Sequence, residues 1–435
     1  MTALPFVVEL ARDLIQLDTT NPPGEERIAV ELIERLLVDA HIECARYASE
    51  PGRPNLVARV KGRGEGPPLL MQGHVDVVTT VNQDWHHGPF GGDIIDGYLW
   101  GRGALDMKSG VAMMVAALIR AKARGGAAGD LVLAVLADEE AGGICGAKWL
   151  VDAHPELFTG VRHAIGESGG VALHLGGRRF YPIMVSEKRG CQMLVTLRGP
   201  GGHGSIPARG GAMAKLGELL VKLDAARLPV HVTTPVRHQL EAMRDALDEP
   251  LKSRIGALLD PARTDAALAE LGALSRGLDA SLHNTVNATI VNGGLKVNVI
   301  PSEVTVQLDG RLLPGFGPED MLQELRAVVG PEPEIDVTLV GPAQPEVDLS
   351  AFAHFASVLE EADRGCVPVP SLVTGGTDAR HFARLGIRTY GFLPLNIPPD
   401  FNSSPTIHAA DERVPVSAIE FGAECVYEAA MRYRG

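Results

Sequence analysis

Short apolar runs separated by a helix-length segment constrain this chain most. NLVARV (55–60), PLLMQG (68–73), DLVLAVLA (130–137) and RHAIGE (162–167) each have the length of a buried strand. Between the second and third lies GVAMMVAALIRAKA (110–123), long enough for a helix and stopped by Gly125 and Gly126. Strands alternating with helices predict an α/β domain built on a mostly parallel, mixed sheet. In such sheets ligands gather outside the carboxyl ends of the strands.

At 435 residues the chain exceeds one ordinary core, so more than one domain is expected. The pattern changes near residue 190. CQMLVTLRGPGGHGS (191–205) reads as a strand running into a glycine-rich turn. A helix with Met213, Leu216, Leu220 and Leu223 on one face follows, then a helical stretch from about Pro235 to Leu282. Strands return in 287–315, where Val304, Val306 and Leu308 alternate with Thr305, Gln307 and Asp309, as in a half-exposed antiparallel strand. The tail alternates again: FASVLEEA reads as helix, RTYGFLPL as strand and VSAIEFGAECVYEAAMRY as a closing helix. The expected architecture is an α/β domain made of residues 1–189 and 346–435, interrupted by an α+β domain over 190–345.

Four features mark strand ends or short loops: GHVD (73–76), GRGALDMKSG (101–110), ADEEAGG (137–143) and GESGG (166–170). Each places a His or a carboxylate where apolar sequence gives way to glycine. His74 and Asp76, two apart, share one face of an extended chain. Buried carboxylates without partners are costly. Lys108, Lys188 and Arg102 offer some compensation, but no cluster of cations matches the acids. One or two metal ions would compensate them together, and His with Asp and Glu but no Cys suits zinc in an open catalytic site. Singly, a strand-end His is usually structural and a DEE run is usually a helix start. His86, His87, His154, His163, His174 and His381 lack the context and are assigned to surface or structure.

Other classes are disfavoured. The formal net charge of −14 argues against nucleic-acid and anionic-membrane partners. No apolar run approaches a membrane span, and the N-terminus reads as an amphipathic helix (Phe6, Val7, Leu10, Leu14), not a signal peptide. Five scattered cysteines fit reduced thiols in the cytoplasm.

The ordered series GHVDVV, GRGALDMKSG, DEEAGG, GESGG, GGHGS, NVIP with DGR, GGTDAR and IHAADE resembles the di-zinc peptidase and amidohydrolase family. That family includes carboxypeptidase G, aminoacylase, acetylornithine deacetylase and succinyl-diaminopimelate desuccinylase. The likeness runs from NPPGEE (21–26) to the closing helix. It implies a zinc held by His74 and Glu167, a second held by Glu140 and His408, and Asp106 bridging both. Co2+ or Mn2+ are substitutes the same ligands suit. It further implies Glu139 as general base and Asp76 as the acid that orients His74. His203 would polarise the scissile carbonyl. Asn298 and Arg311 would bind the substrate carboxylate, Arg311 through its planar fork, with Gly375, Gly376 and Thr377 lining the pocket. A plainer reading of Arg311 is a surface pair with Asp309, and of His203 a turn histidine. The resemblance also implies a cis peptide at Asp106–Met107 and a homodimer through the inserted lid domain. The longer helical stretch 235–282 departs from the compact relatives.

The implied activity is hydrolysis of a small peptide (dipeptidase or carboxypeptidase-like) or an N-acyl amino acid with a free carboxylate. NPPGEE, GGTDARHF and YGFLP lean toward the peptidase branch, and a deacylase of the acetylornithine deacetylase or desuccinylase type is the alternative. A catalytically inactive metal-binding module is the alternative of another class. Retention of Glu139 beside Glu140 argues against it.

Overall fold

The computed structural model describes residues 4–272, 275–343 and 345–435. The chain divides into two compact units: residues 1–185, 347–371 and 377–435 form one, and residues 186–346 with 372–376 form the other.

The first unit is organised by a nine-stranded sheet. Its order is Glu43–Tyr47, Asn55–Val60, Leu131–Leu136, Leu69–His74, His163–Gly166, Arg388–Gly391, Arg178–Glu187 and Val367–Val373, with Leu173–Leu175 pairing off the path. The four strands at the centre are parallel, and the flanks turn antiparallel. The four apolar runs and the 110–123 helix fall where expected, the helix as Lys108–Ala123. The central strands are apolar on both sides because both sides are covered. Met71, Leu131, Leu133 and Val135 join a core with the helices Phe6–Ile15, Lys108–Ala123 and Val416–Arg432. Leu70, Val132, Ala134 and Leu136 face a second core with Leu150, Phe158 and Phe382. This is the fully buried parallel arrangement that removes polar alternation from the sequence.

RTYGFLPL is a strand only through Gly391, because Leu393 and Leu395 donate their N–H groups to Gly169 and Gly170 instead of continuing the ladder. Gly73 lies within the Leu69–His74 strand, and a Cβ there would overlap the terminal methyl of Met107, so its role is close packing.

The second unit carries a four-stranded antiparallel sheet in the order Thr285–Gly293, Glu303–Leu312, Arg189–Arg198, Glu334–Val340. The helices Ala212–Ala225 and Pro318–Val329 supply Leu219, Met321 and Leu325 to its core. Val304, Val306 and Leu308 are buried in it, as their alternation requires. Among the described residues the helical stretch holds four α-helices, Thr234–Ala246, Leu251–Ala257, Thr264–Leu271 and Ser275–Leu282. Pro250, Pro261 and Gly272 stand at or beside the breaks.

Candidate metal centre

Three adjacent parallel strands end side by side, and the chain beyond each carries an acid or an imidazole. His74 closes one strand, Asp138–Glu139–Glu140 follows Leu131–Leu136, and Glu167 follows His163–Gly166. Asp106 arrives on the loop just before the Lys108–Ala123 helix, across a cis Asp106–Met107 peptide. His408 arrives from the far end of the chain, in the loop preceding Arg413–Pro415.

Two three-residue groups result, His74–Asp106–Glu167 and Asp106–Glu140–His408, each with its ligand atoms within 4.8 Å of one another. Asp106 divides its oxygens between them. Oδ1 lies 3.1 Å from His74 Nε2, and Oδ2 lies 3.1 Å from His408 Nε2. Glu167 Oε2 is 3.8 Å from His74 Nε2, and Glu140 Oε2 is 3.2 Å from His408 Nε2.

The tautomer of His74 follows from its partners. Its Nδ1 lies 3.0 Å from the carbonyl oxygen of Asp76, which can only accept, so Nδ1 carries the proton. Nε2 faces two carboxylates, as a donor while the ring is protonated and, in the neutral ring, with a lone pair free for a cation between them. Burial opposes charge on His74, but Asp106, Asp76 and Glu167 override it and hold the ring well above its ordinary pKa. His408 is raised to about 10 by Asp106 and Glu140. Glu167 is pushed up by burial, and Glu140 keeps Oε1 without a hydrogen-bond partner. Two imidazole nitrogens and three carboxylates, one of them shared, fit a pair of divalent cations.

Asp76 serves the acid turn as well as facing His74. Its carboxylate stands 3.5 Å from His74 Nδ1, the shorter contact being made by its own carbonyl. The carboxylate accepts the backbone N–H groups of Glu139 (3.1 Å) and Glu140 (3.2 Å) and the amide of Asn21 (2.8 Å). It therefore anchors the acid turn. Asn21 also donates to Asp138 Oδ1, which accepts from Arg53 as well, and Arg53 grips the buried Glu26. NPPGEE thus supplies Asn21 and Glu26 to a network under the turn. Asp138 occupies the left-handed region at φ 69°, strained for a non-glycine residue and held by these contacts.

Glu139 is pushed up to about 10 by burial and by the charge of Glu167. Arg380 Nη2 stands 4.0 Å from its Oε1. Asp378, buried with neither carboxyl oxygen hydrogen-bonded, is raised to about 8 by burial. His381, assigned to structure, contacts the carbonyl of Gly142 at 3.0 Å and supports the same turn. The three cations considered for these acids serve elsewhere. Arg102 pairs with Glu412, Lys108 donates to the carbonyl of Leu17, and Lys188 donates to Ala280, His283 and Thr285. Gln83, Arg102 and Glu412 organise the loops of Asp106 and His408 and were not singled out for that role by spacing. IHAADE contained the acid but nothing local marked its partners.

In the second unit, His203 pairs with Val299 across a two-stranded ladder, and Gly204 donates to the carbonyl of Asn298. Two separately expected residues, His203 and Asn298, therefore come together, both exposed. The backbone N–H of Ser205 donates to His203 Nδ1, which leaves the ring proton on Nε2. Arg311 lies on another strand of that unit with its guanidinium on Asp309, Nε to Oδ1 at 3.0 Å and Nη2 to Oδ2 at 3.1 Å. Gly375 and Gly376 belong to the second unit and Thr377 to the first.

The sequence model of peptidase family M20/M25/M40 matches residues 70–432. A succinyl-diaminopimelate desuccinylase of Cereibacter sphaeroides is 28% identical over 428 residues, covering 95% of each chain. An N-fatty-acyl-amino acid synthase/hydrolase of Xenopus tropicalis is 26% identical over 368 residues, covering 81% of this chain and 70% of that protein. Among solved structures, an M20 family metallo-carboxypeptidase from Sulfolobus solfataricus shares the fold with a TM-score of 0.71 at 15% identity, covering 99% of this chain and 100% of that one.

Proposed function

The chain belongs to peptidase family M20/M25/M40, hydrolases of amide bonds, and on that premise we propose that it cleaves a small peptide or N-acyl amino acid bearing a free carboxylate. Two zinc ions are assigned, one to His74, Asp106 and Glu167, the other to Asp106, Glu140 and His408. The observation that carries this reading is the division of Asp106 between two triads. Bound there, two divalent cations would polarise the scissile carbonyl, lower the pKa of a water and offset the crowded carboxylates.

The chain's own groups have distinct tasks. Glu139, as the carboxylate, takes a proton from the attacking water and delivers it to the leaving amine; burial and the charge of Glu167 favour its protonated form, and bound cations would offset both. Asp76 holds the backbone of Glu139 and Glu140 in place. His203, with its proton on Nε2, donates to the carbonyl oxygen, and Asn298 stands beside it. Arg311 offers the substrate carboxylate a fork that it otherwise gives to Asp309. Gly375, Gly376 and Thr377 are assigned to the pocket wall.

The second unit is assigned as the lid and the dimer contact. Thr285–Gly293 is an edge strand, and it exposes Ile290 and Val291 near the exposed Leu295 and Val297 of the following loop. The helix Ala212–Ala225 exposes Met213 and Val221. An open apolar edge of this kind is the template a second copy would extend. A cytoplasmic location is supported by five cysteines, all unpaired. No helix among the described residues is long and apolar enough to cross a membrane.

The deacylase alternative keeps its place because a relative at 28% identity is named a desuccinylase. A panel of dipeptides against N-acetyl and N-succinyl amino acids separates the two, with metal-dependent release of a free amine expected from one class. Glu139→Ala should abolish turnover while both metals remain bound. Full turnover by that variant would remove Glu139 as the base.

A further inference from the structure

The two arms that deliver Asp106 and His408 are joined by hydrogen bonds that use none of the candidate ligand atoms of either triad. The arm of Asp106 leaves the strand Tyr98–Trp100, and the arm of His408 enters the strand Arg413–Pro415. These strands pair, Trp100 opposite Arg413, and Gly101 N–H extends the pairing to the carbonyl of Glu412 at 2.9 Å. The Glu412 side chain turns back under the Asp106 loop. It accepts the N–H groups of Gly103 (3.0 Å), Leu105 (2.7 Å) and Asp106 (3.1 Å), and Arg102 Nη1 at 2.6 Å. Glu412 and Arg102 are 0% and 1% exposed, so neither charge has water to fall back on. Arg102 Nη2 reaches the other arm, donating to Ala409 O at 3.1 Å and to Gln83 Oε1 at 2.9 Å. The Gln83 amide then donates to the carbonyl of His408 at 3.0 Å. That bond matters because His408 sits at φ 62°, a conformation its surroundings must enforce.

We propose that Glu412, Arg102 and Gln83 act as positioning residues that form a strut setting the second metal position, by fixing Asp106 and His408 relative to each other. The proposal rests on the di-metal reading above. The two positions depend on it unequally. His74 and Glu167 stand at the ends of central strands, whereas two of the three ligands of the other position hang from the strut.

The test is titration of metal-free protein with Co2+, following visible absorption and bound cobalt. Wild type should take two equivalents. Gln83→Ala, which frees only the His408 arm, should bind the first with unchanged affinity and the second about 10–100-fold more weakly, the usual effect of removing an outer partner, whereas Glu412→Gln, which also frees the Asp106 loop, should weaken the second position more than the first. A purely structural defect would not separate the equivalents. Should Glu412→Gln fail to fold, Gln83→Ala in its half-buried loop decides alone. Wild-type affinity for both equivalents in the folded variants, or equal weakening of both, overturns the strut. A wild-type chain that takes no cobalt overturns the metal reading itself, and the strut with it.

Discussion

Asparagine in place of Asp76 should loosen the acid turn far more than it disturbs His74. The carboxylate receives three N–H groups. Glu139 N binds Oδ1, while Glu140 N and Asn21 Nδ2 bind Oδ2. Asparagine keeps the shape but only one acceptor oxygen. Its better orientation places that oxygen at the Oδ2 position and turns its amide toward the N–H of Glu139. One buried backbone donor then faces another donor, at a cost of about 1–3 kcal/mol, and the two remaining bonds lose the help of a charged acceptor, roughly another 1 kcal/mol. The expected total is about 2–4 kcal/mol. The alternative job, orienting His74, predicts much less, because the ring keeps its 3.0 Å bond to the Asp76 carbonyl and has the carboxylate only at 3.5 Å. Urea unfolding of metal-free Asp76→Asn against wild type measures the first quantity. In the metal-loaded enzyme kcat should fall about 10–100-fold while the His74 metal position keeps its affinity. Stability within about 1 kcal/mol of wild type, together with a weakened His74 position, would refute the turn-anchor reasoning.

Arg53→Met leaves Glu26 and Asp138 buried without their cation, so the metal-free protein should lose about 3–5 kcal/mol by denaturant titration, and a loss below about 1 kcal/mol would contradict that network. Burial, with Arg311 nearby, pushes Lys188 down to about 7. Its unfolded value is about 10.4, so between these limits the unfolded chain holds a proton that the folded chain has shed. Stability should therefore rise with pH from about 7 to about 10 in wild type relative to Lys188→Met, and parallel pH profiles would contradict it. Gly73→Ala should cost about 1–3 kcal/mol as Met107 moves aside, and Gly73→Val clearly more; denaturation midpoints equal to wild type for both would remove the close-packing argument.

Three of the five candidate ligands sit where a strand pattern ends, and strand ends in parallel sheets converge. That rule marked the features holding His74, Glu140 and Glu167, whereas the choice of these residues as ligands, like that of Asp106 and His408, came from the ordered motifs. The supports were not legible, because they join residues far apart with no shared period. Asn21 meets Asp76 across 55 residues, and Arg102 meets Glu412 across 310. Asp76 was read by strand alternation, yet the strand stops at His74, so its carboxylate is free to turn toward the Glu139 backbone. The Arg311–Asp309 pair was legible as two residues on one strand face, and it is present. The packing role of Gly73 left no local mark, because the methyl that excludes a Cβ belongs to Met107, 34 residues along the chain.

Asp106 is the one ligand common to both triads, so counting bound metal in wild type and in Asp106→Ala tests the central claim most directly. Metal-free wild type dialysed against Zn2+ should hold two ions per chain, and folded Asp106→Ala should lose affinity at both positions. A wild type holding none, or a variant still holding two with undiminished affinity, would contradict the account.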